Sequence, residues 1–157
     1  MSGRYSRNKG YRNERKLVLE LLAQNYKAQR VPLSGGTAFA KGDVVVDMPN
    51  GTRINIEVKS RAEAFKNLYD MYFAATKAAK NDLMCLALPH ELCVDVSSSF
   101  SAVLEGDLLY ELIGTHPLYS TYKRAFDRIV KLKALKQDAD ILAIRDDNKP
   151  FLFFRFR

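Results

Sequence analysis

The chain has no tryptophan and only two cysteines in 157 residues. Two cysteines make no disulfide framework. With His90 between them, Cys85 and Cys93 also fall short of the four ligands of a structural zinc site, so buried free thiols are expected. No apolar run approaches the roughly 18 residues that cross a bilayer. The basic start, Met1-Ser2-Gly3-Arg4-Tyr5-Ser6-Arg7, is not followed by the apolar core of a signal segment. A soluble protein of a cytoplasm is the expectation. Internal repeats and low-complexity linkers are lacking too. What remains suffices for one domain, residues 1–157, because 47% hydrophobic and 11% aromatic residues can fill a single core.

Charge is unevenly distributed. The net charge of +7 and a pI near 9.4 call for an anionic partner, which by itself fits nucleic acid, an acidic membrane or an acidic protein. Residues 1–16 carry Arg4, Arg7, Lys9, Arg12, Arg15 and Lys16 against one acid, Glu14. A second cluster, Lys123, Arg124, Arg128, Lys131, Lys133 and Lys136, falls in a late helical stretch. Either cluster is explained by a solvated face. The first, with Tyr5 and Tyr11 interleaved, also suits a phosphate backbone.

Leu17, Val18, Leu21, Leu22 and Tyr26 recur at helical spacing, which predicts a first helix over about 11–26 behind a basic arm, 1–10. Gln29-Arg30-Val31-Pro32 is extended and Ser34-Gly35-Gly36-Thr37 a flexible loop. Asp43 to Met48 and Arg53 to Ser60 are strands. Ala62 to Lys80 is a second amphipathic helix, with Phe65, Leu68, Tyr69, Tyr72, Phe73 and Thr76 in register. Met84 to Leu88 and Leu92 to Val96 are short strand candidates. Helical stretches follow near 100–113 and 118–136, with Pro117 in the first turn of the latter. Asp140 to Arg145 and Phe151 to Arg155 flank a turn and form a second hairpin.

The first hairpin has a register that its turn decides. Pro49 suits the second position of a type I turn and Gly51 the left-handed position after it, which makes a three-residue loop between Met48 and Thr52. Val44 then meets Ile56, Val46 meets Ile54, Asp47 meets Arg53, and Asp43 lies opposite Glu57. Lys59 projects on the same face as Glu57. A two-residue Asn-Gly turn would move Asp43 to the core face beside Val58, a costly place for an unpaired carboxylate.

Two facing carboxylates beside an ammonium suit a divalent cation that prefers oxygen. Mg²⁺ takes one or two protein carboxylates together with substrate phosphate oxygens. It can acidify a water for in-line attack on a phosphodiester, and Lys59 can stabilise the negative charge that develops. A surface ion pair on an exposed hairpin face accounts for the same three residues. Glu14 favours the site. It precedes Leu17 and Val18 by three and four residues, so the apolar stripe of the first helix runs into a carboxylate.

Taken together, Gly10-Tyr11-Arg12-Asn13-Glu14-Arg15, Arg30, Ser34-Gly35, Gly42-Asp43-Val44-Val45 and Ile56-Glu57-Val58-Lys59-Ser60 resemble, in order and spacing, the archaeal-type and phage Holliday junction resolvases, a branch of the PD-(D/E)xK nucleases. The resemblance covers roughly residues 9–61. It implies a restriction-endonuclease-like α/β core, a central mixed sheet flanked by helices, with a mainly helical insertion at about 81–136. Asp43 and Glu57 would hold Mg²⁺, or Mn²⁺ in its place, with the Val58 carbonyl. Lys59 would be the catalytic lysine, Glu14 a further metal-site acid, and Ser34 a contact near the scissile phosphate. Arg4, Arg7, Lys9, Arg12, Arg15, Arg30 and Arg61 would contact DNA phosphates. The implied protein is a homodimer that cuts four-way DNA junctions in a bacterial, archaeal or phage-infected cytoplasm. Two departures stand out. Gly42 replaces the usual proline, which should be mild, and the helix after the ExK lacks the class's glutamine, leaving Tyr69 or Lys77 on that face.

Three functions therefore compete: a junction-resolving endonuclease, a nuclease with the same site acting on duplex ends, flaps or a restriction-type target, and a basic DNA-binding module without catalysis.

Overall fold

The computed structural model describes residues 3–31, 42–79, 83–87, 93–106, 110–112, 117–135 and 138–156. Along the chain come α1 (Gly3–Ala23), β1 (Lys27–Arg30), β2 (Val44–Asp47), β3 (Arg53–Arg61), α2 (Lys66–Ala79), β4 (Met84–Ala87), β5 (Cys93–Ser97), α3 (Phe100–Glu105), β6 (Tyr110–Leu112), α4 (Pro117–Thr121), α5 (Lys123–Leu135), β7 (Ile141–Asp146) and β8 (Leu152–Phe156). The fold is α/β, with a mixed eight-stranded sheet in the order β1-β2-β3-β7-β8-β5-β4-β6. By packing, the chain divides into two compact units, Met1–Ser60 with Asp138–Ala143 and Arg61–Gln137 with Ile144–Arg157.

In the first unit α1 lies against β1. Asn13, Leu17 and Leu21, spaced by four, are its buried stripe. The helix begins at Gly3 rather than near residue 11, so the basic arm is helical from that residue on. Its first turns carry no apolar stripe, which is why periodicity does not mark them. The helix ends at Ala23, before the expected Tyr26. Asn25 takes a left-handed φ of 70°, while the N–H groups of Asn25 and Tyr26 close on the carbonyls of Leu22 and Leu21, each at 3.0 Å.

The hairpin after it has the expected register: Val44 faces Ile56, Val46 faces Ile54 and Asp47 faces Arg53. Met48 N–H bonds Thr52 O at 2.8 Å and Gly51 has φ +86°, so the loop has three residues. Val44, Val45 and Val46 are all buried, which means both faces of β2 are covered. On the far edge of β3, Asp140 N–H donates to Asn55 O at 2.9 Å and the Asp140 carboxylate accepts from Asn55 N–H at 2.8 Å.

The second unit centres on β4, which pairs antiparallel with β5 and parallel with β6, while β5 pairs antiparallel with β8. Met84, Leu86, Val94, Val96, Leu152 and Phe154 are buried there. Helix α2 packs on β4 and β6, and α3 on β5 and β8. The turn between β7 and β8 holds the start of α2. Both oxygens of buried Asp146 accept from Phe65 N–H, at 2.9 and 3.2 Å, and the Tyr69 hydroxyl donates to Pro150 O while accepting from Asp146 N–H at 3.3 Å.

Among the described residues of 81–136 helix outweighs strand, and β4, β5 and β6 join the sheet. Two expectations are corrected in this unit. The helix expected over 100–113 stops at Glu105, because Gly106 adopts φ 66° and returns its N–H to Ala102 O; Tyr110–Leu112 then pairs with β4. Finally, Cys85 and Cys93 are a disulfide rather than free thiols. The β4–β5 register pairs Cys85 with Asp95 and Ala87 with Cys93, so the cysteines are diagonal neighbours on one face with Cα atoms 6.6 Å apart, within bridging range. Among the described residues no helix is long and apolar enough to cross a membrane.

Candidate active site

The site belongs to the first unit, where β2 begins. Gly42 has φ +89°, and a Cβ there would stand 2.9 Å from the Ile56 carbonyl oxygen. Only glycine fits such a position without strain. The chain turns in at that point, Asp43 N–H bonds Ile56 O at 2.9 Å, and β2 runs on against β3. Because the strand stops there, the next N–H on β3, that of Val58, is satisfied by the Asp43 carboxylate at 2.9 Å. Proline could not replace Gly42 with this backbone, since its ring fixes φ near −65°. Glycine at this position thus permits the backbone that leads into Asp43.

The paired register ends at Val44 and Ile56, with Asp43 N–H bonding Ile56 O outside it; Glu57, the next residue on β3, is buried, at 7% exposure. That burial excludes a purely solvent-exposed ion pair. Lys59, one step along the same face, keeps its Nζ 3.6 Å from Glu57 Oε1. Burial, with the Glu57 and Glu14 carboxylates added to it, pushes the Asp43 carboxyl up from 3.8 to about 6, against the opposing pull of the Val58 N–H and Lys59.

Glu14 reaches the site from α1, and Arg30 of β1 holds it: Arg30 Nε donates to Glu14 Oε2 at 2.8 Å. The Arg30 guanidinium also lies 4.0 Å from the centroid of the Tyr11 ring. Tyr11 and Glu14 are one turn apart on α1, so the same arginine grips both. Arg30 is therefore engaged with the protein in this structure. The resemblance implied a phosphate contact for Arg30; the packing of α1 against β1 shows the clamp.

No protein-family model, curated protein or solved structure matches the chain. The site stands on its own residues. Glu57, Glu14 and Lys59 act electrostatically on Asp43, and Lys59 pairs with Glu57. The three carboxylates do not, however, bring one oxygen each within 4.8 Å of one another. Ser34 lies outside the described residues, as do His90 and Lys136 and the side chains of Arg4 and Arg7. Arg12 and Arg15 are exposed on α1, Lys9 is half-buried, and Arg61 is exposed at the end of β3. In the second unit, Arg128 is taken up by Ala64 O at 3.0 Å and by the Phe65 ring, and Lys133 lies over Phe156. Tyr69 is committed to Pro150, while Lys77 is exposed. A cavity of about 580 Å³ in that unit, between Ala62–Asp70 and Asp146–Lys149, has none of the candidate carboxylates in its wall.

Proposed function

We propose that the chain is a metal-dependent, structure-selective DNA endonuclease of the PD-(D/E)xK kind, with a restriction-endonuclease-like core, that resolves four-way (Holliday) junctions by paired phosphodiester hydrolysis. The observation that carries this is the meeting of charges beside the β2–β3 hairpin, where Glu57, Glu14 and Lys59 all act on Asp43 and Lys59 Nζ lies 3.6 Å from Glu57 Oε1. Cutting two strands at one junction takes two such sites, hence a homodimer.

The donor set fits Mg²⁺ or Mn²⁺. It is all oxygen, and two further carboxylates, Glu57 and Glu14, are close enough to raise Asp43. An acid crowded in this way is stabilised by a cation. When bound, the metal supplies a water of lowered pKa and neutralises charge on the leaving oxygen. Asp43, Glu57 and the Val58 carbonyl would hold it, with Glu14, kept in place by Arg30, as a further acid of the site. The Lys59 ammonium donates to the phosphate oxygens as charge accumulates on them. Exposed Arg12 and Arg15 neutralise flanking phosphates, with Lys9, Arg4, Arg7 and Arg61 as further contacts and Ser34 near the cleaved bond.

The test is cleavage of a synthetic four-way junction, a flap and a linear duplex side by side, with Mg²⁺ and with chelator. Metal-dependent, paired cutting of the junction is expected, with Asp43→Asn and Lys59→Ala abolishing cleavage while retaining junction binding. Equal cutting of plain duplex overturns the junction preference; failure to cut any DNA with Mg²⁺ or Mn²⁺ overturns the nuclease.

A further inference from the structure

We infer that Cys85 and Cys93, once reduced, form with Asp95 a second cation site, for a thiophilic divalent ion such as Zn²⁺, which the disulfide closes. It is independent of the nuclease site, being built on β4 and β5 in the other unit and offering sulfur instead of oxygen alone.

The register makes the cluster. Cys85 faces Asp95 directly across the β4–β5 ladder, and Cys93 is two residues before Asp95 on the same face. One ligand atom from each lies within 4.8 Å of the others, and among the described residues no other group of three or more such side chains does this. A tetrahedral ion with bonds of about 2.0–2.3 Å spaces its ligands roughly 3.3–3.8 Å apart, so small side-chain rotations after reduction complete the set. Asp95 is 2% and Cys85 6% exposed. A carboxylate so deeply placed gains from a cation held by two thiolates beside it. Three protein donors leave a fourth position for water or an incoming ligand.

Opening the site takes a dithiol reductant. Its thiolate attacks the sulfur of Cys93, the less buried of the two, and Cys85 leaves as thiolate. The reductant's second thiolate then displaces Cys93 and ends as a disulfide, having passed two electrons and two protons to the cysteine pair. Ion binding returns the two thiol protons to solvent. The pair is therefore closed in an oxidising compartment and open to metal in a reducing cytoplasm.

The experiment titrates Co²⁺ into the full chain, oxidised and after dithiothreitol reduction with anaerobic removal of reductant. One Co²⁺ per reduced chain with a thiolate-to-cobalt charge-transfer band, displaced by Zn²⁺ and absent from the oxidised protein, is expected. Oxygen donors at Asp43 and Glu57 give no such band, so cation binding at the nuclease site does not mimic it. Cys93→Ser should abolish the band, and Asp95→Asn should weaken affinity by about tenfold or more, a loss typical of removing a group that tunes a metal site. Far-UV circular dichroism checks that both variants fold, and the redox comparison on the wild type needs neither. Reduced wild-type protein without the band overturns the inference, as does a folded Asp95→Asn variant of unchanged affinity.

Discussion

The Asp43 carboxylate accepts the backbone N–H of Val58 at 2.9 Å, completing the β2–β3 ladder where the backbone of β2 no longer can. An acid that the sequence offers for chemistry is thus also a piece of the sheet. Its nearest donor is neutral, whereas Glu14 has Arg30 and Glu57 has Lys59. Crowding and burial fall on Asp43, and its raised pKa follows.

That pKa makes stability depend on pH. Asp43 titrates at about 6 when folded against an ordinary carboxyl value of 3.8, so between these values the folded chain keeps a proton that the unfolded chain has lost. The stability it contributes is full below pH 3.8 and is lost as pH rises through about 6. In chelator, Asp43→Asn should therefore melt above the wild type at pH 8, with the difference fading at pH 4. Melting curves at the two pH values decide it; a lower melting temperature for the variant at pH 8 contradicts the assignment.

Gly42→Ala should destabilise by about 1–3 kcal/mol, the usual range for a side chain forced into a sparsely populated backbone conformation. The added Cβ would meet the Ile56 carbonyl at 2.9 Å, and that atom belongs to a strand that cannot give way. Urea unfolding measures the loss, and an unchanged midpoint would remove the reason given for glycine here.

Arg30→Met should leave the salt dependence of junction binding nearly unaltered, because the guanidinium is already taken up by Glu14 and Tyr11. Arg12→Met and Arg15→Met should each lower the slope by about one. Cleavage should respond the other way, with Arg30→Met slowing it as Glu14→Gln does and the double variant no slower than either alone. Binding isotherms at several salt concentrations, with single-turnover rates, separate clamp from contact.

Asp146→Ala should cost about 1–3 kcal/mol by stranding the buried Phe65 N–H, yet leave metal affinity at Asp43 and Glu57 intact. Lys59→Ala should do the reverse, stopping cleavage while moving stability by no more than about 1 kcal/mol, since the lysine end of its pair with buried Glu57 is part-exposed. Denaturation paired with metal titration reads both.

The parts legible in the sequence are those whose cause is local. Pro49 and Gly51 decide a turn, and the turn decides the register that pairs Val44 with Ile56 and Asp47 with Arg53. Leu17 and Leu21 mark their helix because they repeat. The Arg30 clamp depends on how α1 packs against β1, and the Cys85–Cys93 bridge on the register of β4 with β5, which no turn signal like Pro49 and Gly51 decides. Strand β6 is hidden for a different reason. Tyr110, Glu111 and Leu112 continue an apolar spacing that also suits a helix, and a single left-handed glycine, Gly106, separates the alternatives.

Residues Asp138–Ala143 belong to the same compact unit as Met1–Ser60, and Asp140 closes on Asn55 of β3. On the ribosome, the strand that carries Glu57 and Lys59 must therefore wait for most of the chain to be made before its second edge is covered. A nascent or prematurely released chain displays that edge uncapped, open to pairing with a neighbour. Translation to the last hairpin is then a condition for the nuclease strand to be shielded, and truncated products should enter inclusion bodies rather than accumulate as folded fragments.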